Sequence, residues 1–412
     1  MYIILCLIFV SVSSGDLEPN ENKSRNLDPL ATSNTMLTFK LLKELNNMNT
    51  ASTCFSPISI LMAFSSLTAG TKADSTTQKE LMGALQLNRS GLLEMNQVNE
   101  QFFNFNREIN NVNHDNCTLK MANKILVQKK FDIKGEYKKN VRENYNSSID
   151  EVDFASEEEN ILDTINDWVN NETNRTISKL FDKPLDELSR MVMLNVVYFK
   201  GIWKHKFEKE SEEKDFYSYG TESKSKKLMF MQNEAPRKHY ANNMYTIVKI
   251  EYSCKLLEFY IVLPKELDGL KKILKYFETP ENYFKFTNQT ENMNETRVKL
   301  SLPRFKLESN LDLKKVMKNL GLSETIFENE EFTEIADTNI RLSKAFQKVS
   351  VVVNEEGTKA TAATVTGITS RMVQSIKSVN VNVNRPFLFM IKQSNTKIIW
   401  FIGCVFDIPQ QN

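Results

Sequence analysis

Glycine and proline are both scarce, 12 and 10 among 412 residues, where average usage would be roughly 7% and 5%. No Gly/Ser-rich or Pro-rich linker interrupts the chain, and there is no repeat or low-complexity tract. Length alone suggests two or three domains; the missing linkers argue for one. Charge of one sign is also missing: 53 Lys and Arg face 52 Asp and Glu, a formal net charge of +1. That excludes bulk binding of nucleic acid, which needs a concentrated basic surface. No apolar run is long enough to cross a bilayer, so no membrane partner is expected.

Catalytic motifs are lacking as well. The chain has three histidines, His114, His205 and His239, and none stands in an HExxH pattern. No G-x-S-x-G elbow or P-loop is present. His114 lies in an Asn-rich stretch and the other two are flanked by Lys or Arg, as surface histidines are. No Cys stands at ligand spacing from a His or another Cys, so no zinc site is expected. No metal, cofactor or catalytic residue is assigned, and a hydrolase without a nucleophile–base pair is disfavoured.

What is present is apolar: 41% of the residues are hydrophobic and 26 are Phe, enough for a sizeable core. Ile3 to Val12 form a short apolar run followed by Ser13, Ser14 and Gly15. That shape predicts a secretory signal peptide over residues 1–15, although no Lys or Arg precedes the run. A buried N-terminal strand is the alternative. With the mature chain starting at residue 16, the expectation is a secreted, extracellular protein. Eight N-glycosylation sequons, at Asn22, Asn88, Asn116, Asn146, Asn171, Asn174, Asn288 and Asn294, agree with secretion. An Asn-rich chain also yields several by chance. None falls after Asn294.

Five cysteines, one of them Cys6 in the leader, are too few and too scattered for a disulfide scaffold. Cys54 and Cys404 sit in apolar, strand-like contexts and read as buried thiols, with a bridge between them as the alternative.

The first third reads as helices. Pro57 to Thr68 follows Ser56, an N-cap residue type, with Pro at the first helical position. Asp74 to Leu85 and Glu157 to Arg175 carry helical apolar spacing, and Ser90 to Asn111 is a longer, mostly neutral helix candidate. The period then changes. Met191 to Phe199 is nearly continuous apolar sequence, as in a central strand buried on both faces. Ile247 to Tyr252, Leu256 to Leu263, Val298 to Leu307, Pro386 to Ile391 and Ile398 to Phe406 add strands. Helices first and strands later predict an α+β fold.

Six segments resemble the serpin family, in that family's order and at about its spacing. They are Cys54-Phe55-Ser56-Pro57-Ile58-Ser59-Ile60, Met121-Ala122-Asn123-Lys124, Ile165-Asn166-Asp167-Trp168-Val169, Leu194 to Trp203, Asn354-Glu355-Glu356-Gly357-Thr358 and Asn384-Arg385-Pro386-Phe387-Leu388-Phe389. The resemblance covers essentially the whole chain from residue 16 to 412. It implies one serpin domain of three β-sheets with about nine helices and an exposed C-terminal reactive loop, about residues 355–384. In inhibitory members a protease cleaves that loop as substrate. The loop's first half then enters the main sheet as a new strand, and the esterified protease is trapped.

The residues after the hinge can be read physically. Thr358, Ala360, Ala362 and Thr364 would face one side of an inserted strand, and all are small and uncharged. Lys359, Thr361 and Ala363 would face the other, and no Pro interrupts the run. The resemblance implies a hinge over Glu355, Glu356, Gly357 and the residues to Thr364. In the family the residue before the scissile bond lies fourteen after the hinge Gly; from Gly357 that is Arg371, with Met372 following. An Arg there suits the charge-assisted specificity pocket of a trypsin-like serine protease. Met372 departs from the Ser common at its position.

The resemblance also implies a sheet-opening region of Ser56, Ser59, Asn195, Trp203 and Gln347, where Gln347 replaces the family's usual His. Packing alone is the other reading of Trp203. A heparin-type cofactor is not expected, because Ser90 to Asn111 carries Glu94, Glu100 and Glu108 against a lone Arg107. Lys224, Lys226 and Lys227, and Lys271, Lys272 and Lys275, read as solvated faces. The expectation is a monomeric, secreted suicide-substrate inhibitor forming a covalent complex with an extracellular trypsin-like protease. A non-inhibitory binding or carrier protein is the alternative.

Overall fold

Pro57 to Thr68 folds as the helix its residues predict, Pro57–Thr68, and all of its residues are buried. Ser56 stands at the N-cap in an extended conformation, yet its side chain makes no capping hydrogen bond. Cap chemistry is realised one helix later, where the Ser75 hydroxyl accepts from the Gln78 amide at the start of Thr76–Ala84. The helices expected next run over Met95–Asn110 and Glu158–Glu172. A first helix, Asp28–Met48, has no counterpart in the sequence reading.

The structure is a computed structural model that describes residues 28–48, 51–110, 116–208, 212–328, 332–338, 340–358 and 378–409. The expected signal peptide, Cys6, Asn22, His114 and the loop residues Lys359 to Lys377, Arg371 and Met372 among them, lie outside the described residues.

Six strands form one sheet, in the order Phe305–Asp312, Leu342–Val353, Gly357–Thr358, Met191–Ile202, Cys117–Gln128 and Ser147–Val152. Met191–Ile202 is the expected central strand, buried along nearly its whole length. It runs parallel to Leu342–Val353, in register from Leu342 opposite Met191 to Ser350 opposite Tyr198.

A second sheet has nine strands. Ser225–Ala241 is continuous through it, pairing in turn with Glu212–Tyr217, Asn294–Pro303 and Tyr245–Glu251. That one long strand joins what the sequence reading expected as two separate sheets. Ten α-helical segments lie among the described residues, one of them the five-residue Glu324–Glu328, in line with about nine helices. Helix Pro57–Thr68 packs against strands of both sheets, Ile399–Val405 and Met191–Ile202.

One expected strand is two. Val298 to Leu307 divides into Asn294–Pro303, in the nine-stranded sheet, and Phe305–Asp312, in the six-stranded one. Pro303 has no amide to donate, so a ladder loses its continuity there, and the chain changes sheets across Arg304.

The cysteines pair differently from the alternative left open by the sequence. Cys54 lies opposite Gly403, and Cys404 lies opposite Thr53. Directly opposed residues share a face and successive residues alternate, so the two thiols point to opposite faces and no bridge forms. Both are free and buried, and burial pushes each thiol up to about 12. The disulfide joins Cys117, at the start of its strand, to Cys254, in the turn before Leu257–Pro264.

Alkylation mapped residue by residue should leave Cys54 and Cys404 unlabelled until the protein unfolds; labelling under native conditions would contradict their burial. Reducing Cys117–Cys254 should lower stability by about 2–4 kcal/mol in denaturant titrations.

Candidate functional site

Three polar side chains interrupt the apolar middle of the six-stranded sheet. Asn195 lies opposite Gln347 on one neighbouring strand and opposite Asn123 on the other. All three are buried, as are Ser56 and Ser59 at the start of the helix beneath. A buried amide must find partners or lose about 1–3 kcal/mol, and these find one another. Gln347 Nε2 donates to Asn195 Oδ1 at 2.8 Å and to the Ser56 carbonyl at 3.0 Å. Its Oε1 accepts from the Ser56 amide at 2.9 Å. Asn195 Nδ2 donates to Ser59 Oγ and, at 2.5 Å, to Asn123 Oδ1. Gln347 therefore ties two strands and a helix end together.

Ser56, Ser59, Asn195 and Gln347 meet in this cluster, and Trp203 does not. Asn123 belongs to it and was not assigned there from sequence. A signal was available: Cys117, Leu119, Met121 and Ile125 are the inward positions of an alternating strand, and Asn123 is the polar member of that series. The Ser56 hydroxyl takes part through no hydrogen bond of its own.

Trp203 lies at the end of the same central strand. Its ring stacks on Tyr252 with centroids 4.5 Å apart and planes 16° from parallel. Its Nε1 donates to the Asn354 carbonyl at 2.9 Å, and its amide donates to the Glu356 carbonyl at 3.0 Å. Packing and hinge contact are thus combined in one side chain. Asn354 Oδ1 accepts from the amides of Glu356 and Gly357 and closes the turn. Glu355 pairs with Arg304, and Glu356 with Lys206 at 2.5 Å.

Past this turn, Gly357 and Thr358 enter the sheet. Thr358 lies opposite both Val353 and Gly201, and Gly357 opposite Ile202. The Thr358 hydroxyl is 2.7 Å from Tyr252 Oη. A two-residue strand therefore already separates the ends of the two parallel strands, which pair directly below it. Approach is so close that a Cβ on Gly357 would stand 1.9 Å from the Gly201 carbonyl oxygen. Lys359 to Thr364 continue from this point in sequence, outside the described residues.

The chain matches the family model described as Serpin (serine protease inhibitor) over residues 32–408. It is 33% identical to Serpin B6 of Pongo abelii, over 92% of this chain and 99% of that one. With human Serpin B4 it shares 31%, over the same shares of the two chains. Among solved structures it resembles Serpin48 of Tenebrio molitor, described as a highly specific serpin, with TM-score 0.79 and 25% identity over 94% of this chain and all of that one. Human thyroxine-binding globulin, solved with its hormone, shares the fold at TM-score 0.82 and 21% identity over 93% of this chain and all of that one.

These relatives overturn one expectation. The B-group serpins are largely intracellular and lack secretion signals, and the chain matches several of them over 92% of its length. The expectation of a secreted, extracellular protein is withdrawn. Its cues were weak in physical terms: the apolar run Ile3 to Val12 lacks the preceding basic residue of a secretory leader, and sequons accumulate by composition alone. Asn88, Asn116, Asn146, Asn171, Asn174, Asn288 and Asn294 are all exposed, but exposure alone carries no argument for glycans.

Replacing Asn195 with Ala should cost about 2 kcal/mol, read as a lower urea midpoint, because Gln347 and Asn123 both lose a buried partner. Gly357→Ala should push the hinge out of the sheet. Faster hydrogen exchange at Trp203 and Phe207, whose amides donate to Glu356 and Glu355, would report it; unchanged exchange would show that the stub is not held as described.

Proposed function

The chain belongs to the serpin family, and we propose that it traps a trypsin-like serine protease as a suicide substrate, with Arg371–Met372 as the bond attacked. Protease inhibition, rather than catalysis of its own, is the activity of the family to which it belongs. The finer reading has the chain act as a single-domain monomer. The protease serine attacks the Arg371 carbonyl carbon, an ester to Arg371 forms, and the peptide bond to Met372 breaks with release of the new amino terminus at Met372. Insertion of the residues after Thr358 then carries the esterified protease away before water completes the reaction.

The observation that carries this reading is the stub of Gly357 and Thr358. It lies between the two strands that an inserting segment would have to part, so insertion extends a strand already begun and needs no new nucleus. Below the stub the parallel ladder and the Gln347–Asn195 contact must open. About a dozen new backbone hydrogen bonds at roughly 1 kcal/mol net each supply on the order of 10 kcal/mol, comparable to the stability of a whole domain. The small side chains from Ala360 to Thr364 can be buried at alternate positions without leaving a charge in the sheet.

Mixing the full-length protein with trypsin and separating the products on a denaturing gel tests this directly. The expected result is a band near the summed mass that survives boiling, together with a fragment beginning at Met372. Arg371→Ala should abolish the band. Thr364→Arg, which would bury a charge on insertion, should convert the inhibitor into a substrate. Clean cleavage by trypsin that stays fully active would sink the trapping reading for trypsin-like enzymes and favour a binding protein.

A further inference from the structure

The Cys117–Cys254 disulfide joins the two sheets beside the point where the hinge enters. Cys117 lies opposite Gly201, and Gly201 lies opposite Thr358, so the three stand in one row across neighbouring strands of the six-stranded sheet. Cys254 stands in the turn between Tyr245–Glu251 and Leu257–Pro264 of the nine-stranded sheet. The residues next to the two cysteines hold the same partner. The Ile202 amide donates to the Asn116 carbonyl at 3.0 Å, and the Ser253 amide donates to the Ile202 carbonyl at 2.8 Å. Asn116, Cys117, Cys254, Ser253 and Ile202 thus form a ring, and the disulfide is its covalent side.

Ile202 lies opposite Gly357, and the turn that carries Cys254 reaches the hinge as well. Tyr252 bridges to Trp203, stacks on its ring, and places its hydroxyl 2.7 Å from that of Thr358. For a strand to enter below the stub, Met191–Ile202 must part from Leu342–Val353. Its other neighbour, Cys117–Gln128, is paired with it from Cys117 to Val127 and has to move with it. With the disulfide intact, the upper end of that pair is tethered covalently to the second sheet. Without it, hydrogen bonds and packing alone hold the pair there.

We propose that Cys117–Cys254 is a reversible redox switch on the opening of the six-stranded sheet, resisting entry of the hinge strand when oxidised and admitting it when reduced. Its consequence for protease trapping rests on the inhibitory function proposed for the chain; its effect on the sheet does not.

The two sulfurs differ in access. Cys117 is 1% exposed, whereas Cys254 is half-buried and is followed by the exposed Lys255. A thiolate of a dithiol reductant attacks Cys254 Sγ, a mixed disulfide forms, and the electron pair of the broken bond leaves on Cys117 Sγ, which takes up a proton. The second thiolate of the reductant then closes on the first sulfur and releases Cys254, which is protonated in turn. Two electrons and two protons reach the protein, and the reductant departs as its own disulfide. Cys54 and Cys404 do not compete, because both are buried and burial keeps both protonated, while the thiolate is the form that exchanges. Disulfides in reducing compartments are usually transient and redox-sensing, and the B-group relatives of this chain are largely intracellular.

Amide hydrogen exchange of the full-length protein, oxidised and after treatment with dithiothreitol, tests the switch without reference to trapping. Reduction should speed exchange at Ile202, Trp203 and Ser253, whose amides donate to Asn116, Glu356 and Ile202. The gain should exceed by about tenfold that at Ile60, whose amide donates to the Ser56 carbonyl, the difference one local hydrogen bond would make. Replacing both cysteines, Cys117→Ser with Cys254→Ser, should reproduce the reduced pattern and remove the response to dithiothreitol. If that variant does not fold, the two states of the unaltered protein carry the test. Equal acceleration at all four amides would mean general loss of stability and would overturn the proposal, as would a disulfide that dithiothreitol reduces only once the protein unfolds. With trypsin, the reduced protein should give a larger share of trapped over cleaved product. No trapping in either state, with the exchange difference intact, would count against the inhibitory function and in favour of the switch.

Discussion

Met191–Ile202 and Leu342–Val353 run side by side and in parallel through the middle of the six-stranded sheet, and the remaining features of the site are arranged around that pairing. Parallel neighbours cannot be joined by a short turn, so each strand is anchored to different parts of the chain and the two can separate without breaking a connection. Their main-chain ladder is backed at one level by Gln347 and Asn195, which lie opposite each other and share a hydrogen bond. Above that level the stub of Gly357 and Thr358 has parted them. The sheet is thus closed by a local contact and opened by another, along one seam.

The polar cluster resists separation because of where its partners come from. Gln347 belongs to one strand, Asn195 to the other, and Ser56 and Ser59 to the helix below. Moving either strand leaves buried amide groups unpaired on the other, a cost that falls before any new hydrogen bond forms. At the top the arrangement is opposite in character. Trp203 and Tyr252 are stacked, and Asn354, Glu355 and Glu356 are held to neighbouring segments by hydrogen bonds and ion pairs. Those contacts fix the stub's entry point and leave the seam below to yield.

Periodicity made much of this legible. The apolar run Met191 to Phe199 announced a central strand, and Pro57 to Thr68 is the helix its composition describes. Boundaries failed where one residue acted as a switch. Pro303 and Arg304 divide a strand between two sheets, and no hydrophobic pattern marks a change of sheet. The joining of two sheets by Ser225–Ala241 was hidden because that strand reads Lys-Lys-Leu-Met-Phe-Met-Gln-Asn-Glu, too mixed to stand out. In the polar cluster, Ser56, Ser59, Asn195 and Gln347 were reached through family resemblance. Asn123 was within reach of strand alternation alone. The Cys117–Cys254 bridge spans 137 residues and has no local signature.

Gln347 has a consequence for the conditions under which the seam works. The cluster of Ser56, Ser59, Asn123, Asn195 and Gln347 contains hydroxyls and amides only, and none of these gains or loses a proton in the range where proteins remain folded. A histidine in the place of Gln347 would couple the opening of the sheet to proton concentration near neutrality. With glutamine that linkage is absent. The lock holds equally in mildly acidic and neutral surroundings, and salt, which weakens ion pairs between exposed groups, leaves it untouched. Sensitivity to acidity or ionic strength is thereby left to the charged groups around the hinge.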